Sequence, residues 1–281
     1  MSIAARNLRF ELSDDIANHW APEHPEFSHI ANAFMAALPY LEPYFIHNIR
    51  QAAEQLDDEA LKADVRGFIA QEARHAQQHK RWNEVIARRF PGFDRLERAL
   101  KNRLSESKRT HSLAFRMAYT AGYEAFTYQL VCCIMNQRKR WLHGADPRLL
   151  GMLSWHAAEE VEHKSVAFDV FQAIDGGYAM RIFGYVVALV RSIADIHEMT
   201  DHMLSADQTV DPRQSRRRLR AVRIALLKEL GPELLHYFKP NYSPSEHEDP
   251  ALLKAWLAHY DHGEDLRALD LGALDALAQS A

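Results

Sequence analysis

The sequence predicts an all-α protein, a four-helix bundle carrying additional C-terminal helices. Three observations support this: long Ala-, Leu- and Arg-rich runs with helical periodicity, no convincing period-2 alternation, and short turn signals between the runs. Residues 1–27 are polar, contain Pro22 and Pro25, and are expected to be irregular. The first long run starts at Phe27 and ends at Leu56-Asp57-Asp58, which also caps the second. Pro91-Gly92 closes the second run, and a short polar helix follows at about 94–107. Ser112 to Leu142 is the third long run, stopped by His143-Gly144, where glycine suits a left-handed cap. Asp146-Pro147 then supplies the cap and first residue of the fourth run, which Asp175-Gly176-Gly177 ends. A fifth helix is expected over about 178–204, and a sixth from Arg216-Arg217-Arg218 to about Tyr237. Lys239 to Pro250 reads as a loop, and two weaker helical stretches complete the chain. The expected organisation is an irregular segment 1–27, a metal-binding bundle 28–175, and helices within 176–281 packed on it as part of the same domain.

Length and composition suit a globular protein with a substantial core: 281 residues, 47% hydrophobic and 26% charged. A net charge of -4 argues against nucleic acid as a partner. The 2 cysteines, Cys132 and Cys133, are adjacent and read as reduced packing residues, which fits a cytoplasmic protein. The N-terminus carries early charges and no apolar core, so no signal peptide is expected. Ile182 to Val190, flanked by Arg181 and Arg191, falls short of the ~20 apolar residues that span a bilayer. It reads as a buried helix, with a membrane-surface contact as the alternative. The basic run at 216–220 reads as a solvated helix start, and a homodimer is left open.

Four Glu-x-x-His pairs place two side chains on one helix face: Glu26/His29, Glu72/His75, Glu160/His163 and Glu233/His236. The middle two lie deep inside long runs, and each follows a run that carries one isolated carboxylate. Glu42 is the only acidic residue between Phe27 and Ala53, and Glu124 the only one between Ser112 and Ala145. A lone Glu in an apolar run implies a buried group with a partner. Glu42 and Glu72 lie 15 residues either side of Asp57, hence at one level of an antiparallel hairpin. Glu124 and Glu160 lie 21 and 15 residues from Ala145, an offset of about 9 Å at 1.5 Å per residue.

One Glu from each of two helices and Glu-x-x-His from each of the other two is the ligand set of di-iron carboxylate bundles. Four carboxylates offset the charge of two divalent cations, and imidazoles complete the coordination. The plain alternative is a set of interhelical salt bridges with Arg50, Arg74 and Arg116. His156 shares the face of Glu160 and His163, as a third nitrogen ligand or as a hydrogen-bonded core histidine. His79, Glu159, Glu162 and Asp169 are candidates to support the ligands from outside. Pro39 and Pro43 bracket Glu42 and predict a kink or restart of the first helix.

Residues 8–175 resemble the ferritin-like bacterial proteins described as predicted metal-dependent hydrolases. The matching stretches are Phe68-Ile69-Ala70-Gln71-Glu72-Ala73-Arg74-His75, Tyr123-Glu124-Ala125-Phe126-Thr127, and the long run from Trp155-His156-Ala157-Ala158-Glu159-Glu160 through Val161-Glu162-His163 to Asp169. Tyr237-Phe238-Lys239-Pro240-Asn241-Tyr242 looks like the family's C-terminal loop and extends the likeness to about residue 256. Leu41 and Pro43 flank Glu42, where the family usually has glycine before this Glu and no proline after it. The trio His156, Glu160 and His163 is also similar to the extra-histidine pattern of di-iron arylamine N-oxygenases. That likeness implies seven protein ligands: Glu42, Glu72, His75, Glu124, His156, Glu160 and His163.

The leading expectation is a non-haem di-iron enzyme that activates O2 to oxidise a small organic substrate, with no catalytic residue assigned beyond the metal site. Phe34, Phe45, Tyr128 and Phe168 are candidates to line the pocket. Such an enzyme needs an external electron donor, a ferredoxin or reductase, because the chain has no flavin or iron–sulfur signature. The alternative is a hydrolase in which two Zn or Mn ions acidify a bound water. A third reading is a ferroxidase or iron-binding protein.

Overall fold

The structure is a computed structural model that describes residues 3–280. Met1 and Ser2, at the start of the expected irregular segment, and Ala281, at the end of the expected C-terminal helices, lie outside the described residues. The architecture is an all-α bundle with no strand among the described residues. Residues 3–24 form no helix. The long helices are α1 (Pro25–Ala53), α2 (Glu59–Arg89), α3 (Phe93–Thr110) and α4 (Leu113–Asn136). They are followed by the single turn α5 (Arg138–Trp141), then α6 (Pro147–His163), α7 (Val166–Ile174), α8 (Tyr178–Ala206) and α9 (Pro212–His236). A 3₁₀ turn at Pro244–Glu246 precedes α10 (Ala251–Asp261) and α11 (Leu271–Ser280).

Local chemistry sets most of these limits. The Asp58 carboxylate accepts from the N–H groups of Ala60 and Leu61, Ser112 Oγ from Phe115, and the Asp146 carboxylate from Arg148. Each satisfies amides that a helix start leaves open. α9 begins at Pro212, earlier than the basic run suggested, because Asp211 caps it and proline fits the first turn.

Three elements depart from the sequence reading. α1 runs unbroken through Pro39 and Pro43, so the helix does not restart at Glu42. The prolines leave the Met35 and Pro39 carbonyls without their helical N–H donors, and Asn83 Nδ2–H donates at 2.9 Å to the neighbouring Ala36 carbonyl, tying α2 to this turn. The third long run stops at Asn136 instead of Leu142, with α5 as a separate turn. The fourth run is interrupted at Lys164–Ser165, where α6 passes into α7.

α1 packs along α2, and α4 packs against α1, α6 and α7, with α8 laid over α1 and α4. α4 is buried on nearly every side, as an apolar helix at the centre of a core must be. Its crossing with α8 is close. A Cβ on Gly122 would lie 2.7 Å from Tyr185 Cα, and one on Gly184 would lie 2.5 Å from the Ala118 carbonyl carbon. Gly122 sits two residues before Glu124, so this contact also fixes the height of that carboxylate.

Gly122→Ala is expected to destabilise the fold by about 1–3 kcal/mol through overpacking, even though alanine gains roughly 1 kcal/mol in helix propensity. Chemical denaturation measures it, and a variant as stable as the parent would show that α8 can move away from α4.

Candidate metal centre

The offset expected between Glu124 and Glu160 disappears in the structure. Glu124 lies 12 residues before the end of α4 and Glu160 lies 13 after the start of α6, because α4 ends at Asn136 and residues 137–146, with the single turn α5, do not continue it. Glu42 lies 11 residues before the end of α1 and Glu72 lies 13 after the start of α2. All four carboxylates therefore come to one level between α1, α2, α4 and α6.

Glu72, His75, Glu160 and His163 form one buried group whose donor atoms all lie within 4.8 Å of one another. His163 joins the hairpins: Nε2 lies 3.4 Å from Glu72 Oε1 and 3.7 Å from Glu160 Oε1, and Nδ1 lies 3.3 Å from Glu124 Oε2. His75 Nδ1 lies 3.5 Å from Glu72 Oε1. Glu42, His79 and His156 form a second buried group with donor atoms within 4.8 Å. His156 Nε2 links the two groups at 2.8 Å from Glu160 Oε1. The structure thus brings together all seven side chains named from the sequence as ligands. His79 is seated among them, with Nε2 3.0 Å from His156 Nδ1.

Many of these atoms lack a hydrogen-bond partner although they are sealed from water. Both oxygens of Glu42 and both ring nitrogens of His163 are in this condition. So are Glu72 Oε1, His75 Nδ1, His79 Nδ1, Glu124 Oε2 and Glu160 Oε2. Buried polar atoms are rarely left unpaired, and nine in one cluster, all oxygen or imidazole nitrogen, fit the donors that divalent transition metals take.

The charges are correspondingly strained. Burial, then the charges of Glu72, Glu160 and Glu124, push Glu42 well above the usual carboxylate range. Burial likewise raises Glu160, and raises Glu124 to about 7. Burial works against the charged form of His163, yet Glu160, Glu124 and Glu72 hold it up to about 9. His79, desolvated and beside His75, falls to about 3, and His156 is lowered for the same reasons.

Around the cluster, Glu159 lies 2.9 Å from His75 Nε2, which turns Nδ1 toward Glu72, and against its burial these two carboxylates hold the His75 pKa well above the usual histidine range. Trp155 packs edge-on against His75 and Phe68 against His163, at centroid distances of 4.8 and 5.0 Å. Arg6, from the non-helical N-terminal segment, donates its backbone N–H to Glu159 at 2.9 Å. Its guanidinium holds Glu162 through bonds of 2.6 and 2.9 Å, and Gln71 donates to the same carboxylate at 2.7 Å. Glu162 therefore anchors Arg6 and does not touch an imidazole. Asp169 is a second correction: it is exposed on α7, because six residues at ~100° each carry it about 120° round from the face of His163.

The salt-bridge alternative fails. Arg116 donates to Asn48 and Gln51, each at 2.7 Å, Arg74 bonds Asn7, and Arg50 is exposed. Arg6 and Gln71 were missed by the sequence reading, and Arg6 had no signal to find: it lies in a segment without periodicity. Of the proposed pocket aromatics, Phe34 lines an apolar cavity of about 470 Å³ and Tyr128 a separate polar one of about 520 Å³. Phe45 and Phe168 are core residues.

Fold and site together define an all-α protein with a buried carboxylate–histidine centre able to hold metal. The chain belongs to the family described as predicted metal-dependent hydrolase, whose model matches residues 4–248. No curated protein and no solved structure matches the chain.

Metal uptake requires deprotonated ligands and releases their protons. Because His163 stays protonated up to about 9 and Glu124 up to about 7, divalent-metal affinity is expected to rise with pH across this range. Loading near neutral pH should release at least one proton. Calorimetry in buffers of different ionisation enthalpy counts the protons, and pH-independent affinity would contradict the charge balance.

Proposed function

We propose that the cluster is a two-metal centre and that its chemistry is hydrolysis. The observation that carries this reading is the group of buried carboxylate and imidazole atoms at one level that make no hydrogen bond. The family description names hydrolysis. Glu42, Glu72, Glu124 and Glu160 would supply the negative charge that balances two divalent ions, and His75, His156 and His163 the neutral donors. Metal bound there would bring the pKa of a water toward neutrality and make a nucleophile without a strong base.

The remaining residues prepare the donors. Glu159, fixed by the Arg6 backbone N–H, holds the His75 ring in the tautomer that offers Nδ1. His79 does the corresponding work for His156, since the Nε2–Nδ1 contact leaves His156 Nε2 facing Glu160. Glu42, with neither oxygen engaged and its pKa raised, suits a group that holds a proton or a metal in turn. Trp155, Phe68 and Tyr123 keep bulk water away from these groups.

A second reading, oxidation of an organic substrate by O2 at a di-iron centre, is favoured by the third imidazole, His156, beside Glu160. It requires an external electron donor and a small-molecule substrate. Metal analysis of protein purified without added metal separates the two. Zinc or manganese, no visible absorbance, and turnover of activated esters or phosphoesters support hydrolysis. Iron with a visible band and O2 consumption on reduction supports oxidation.

Glu159→Ala is expected to weaken metal binding by roughly 10–100-fold while leaving every proposed ligand in place. Glu72→Ala should abolish stoichiometric binding and any turnover. Competition titration against a chelator measures both, and full metal occupancy in Glu72→Ala would refute the assignment.

A further inference from the structure

α8 and α9 run antiparallel on the outside of the bundle. Tyr185 Oη donates to the Leu234 carbonyl at 3.0 Å, and Arg223 pairs with Asp201 at 2.9 Å. The Ile182–Val190 run is buried on one side only. Phe183, Val186, Val190 and Ile193, spaced by three, four and three residues, form an exposed stripe. Val190 is 60% exposed, and Leu227 on the neighbouring α9 is 66% exposed. Ile224 and Leu235 extend the band on α9. Between the helices lies the apolar cavity of about 470 Å³, with Phe34, Phe126 and Leu153 among its walls. Single exposed apolar residues are ordinary, whereas a contiguous band marks a contact surface.

The same side of α9 turns cationic toward its N-terminus. At ~100° per residue, Arg213, Arg216, Arg217 and Arg220 fall in the arc of Ile224 and Leu227. All four are exposed, and none makes a hydrogen bond or ion pair among the described residues. In a chain of net charge -4, α9 carries six Arg and one Lys against two Glu.

We propose that the α8–α9 face docks on an anionic lipid bilayer. The two helices lie in the interfacial plane, the apolar stripe enters the boundary between headgroups and acyl chains, and the guanidiniums meet lipid phosphates. The contact is peripheral, since no helix among the described residues is long and apolar enough to cross a membrane. A second copy of the chain suits this face less well. The acidic residues at the cationic end of α8 are Glu198 and Asp201, and Asp201 is already paired with Arg223. Four guanidiniums would enter such an interface with too few carboxylates to receive them.

Co-sedimentation with phosphatidylcholine vesicles, with and without added phosphatidylglycerol, tests this on the full chain. Binding is expected only to the anionic vesicles and is expected to weaken with salt. Replacing Arg213, Arg216, Arg217 and Arg220 by Gln should lower partitioning by roughly fivefold per guanidinium. These side chains point to solvent, so the variant keeps its fold. Val190→Glu with Leu227→Glu should abolish binding at unchanged helicity by circular dichroism. Equal sedimentation with both vesicle types, no sedimentation with either, or a solution dimer that Val190→Glu dissociates would overturn the proposal.

Discussion

Removing an ionised carboxylate from water costs several kcal/mol even after the protein relaxes around it, and this chain removes four into one compartment. Glu42, Glu72, Glu124 and Glu160 are each almost fully buried, and three imidazoles close the space between them. Protons are one way to relieve the repulsion, which is why burial and mutual charge raise Glu42 and Glu160 and why His163 retains its proton to about 9. Divalent cations are the other, and they also occupy the lone pairs that no protein donor reaches. The seven side chains thus form a unit whose members are intelligible together and costly one at a time.

That unit depends on helix register. α1 with α2 and α4 with α6 each bring two carboxylates to the same height, and the register is held by contacts that flank the cluster. Asn32 receives the indole N–H groups of both Trp20 and Trp82, and Asn83 reaches the Ala36 carbonyl, which ties α2 to α1. Arg116, Asn48 and Thr120 tie α1 to α4. Gly122 and Gly184 allow α8 to lie against α4 at backbone distance. A bundle clamped in this way resists the splaying that four like charges would otherwise favour.

The helical period made most of this arrangement legible. Three and four residues return a side chain to the same face, so Glu72 with His75 and His156 with Glu160 and His163 had to share surfaces once the helices existed. Isolated carboxylates in apolar runs pointed to Glu42 and Glu124 for an equally local reason. What escaped the sequence was non-local or lay at helix ends. Arg6 reaches Glu159 and Glu162 across more than 150 residues, from a segment without periodicity. The interruption after His163 leaves no Gly or Pro as a marker, since Lys164 and Ser165 both keep right-handed helical angles. It is accompanied by a contact from far along the chain, Lys164 Nζ to the His247 carbonyl at 3.0 Å. Asp169 was misplaced for a simpler reason: six residues beyond His163 do not return to its face. Pro39 and Pro43 misled in the opposite sense: local rules favour a break, and packing on α2 keeps the helix whole.

α8 links the interior to the surface. By covering α1 and α4 it shields from water the side of α4 that carries Gly122, two residues before Glu124. It thereby helps to create the low-dielectric setting in which unpaired carboxylates demand cations. Its inner face is committed to that task through Gly184, Tyr185 and Ala188, all buried. The residues that alternate with them around the helix, Phe183, Val186 and Val190, have no part in sealing the site and yet are apolar. A helix needed only as a lid would carry polar residues there, as amphipathic surface helices do. The outward stripe therefore answers a requirement separate from the stability of the metal centre, and the unpaired arginines on α9 specify the charge of whatever meets it.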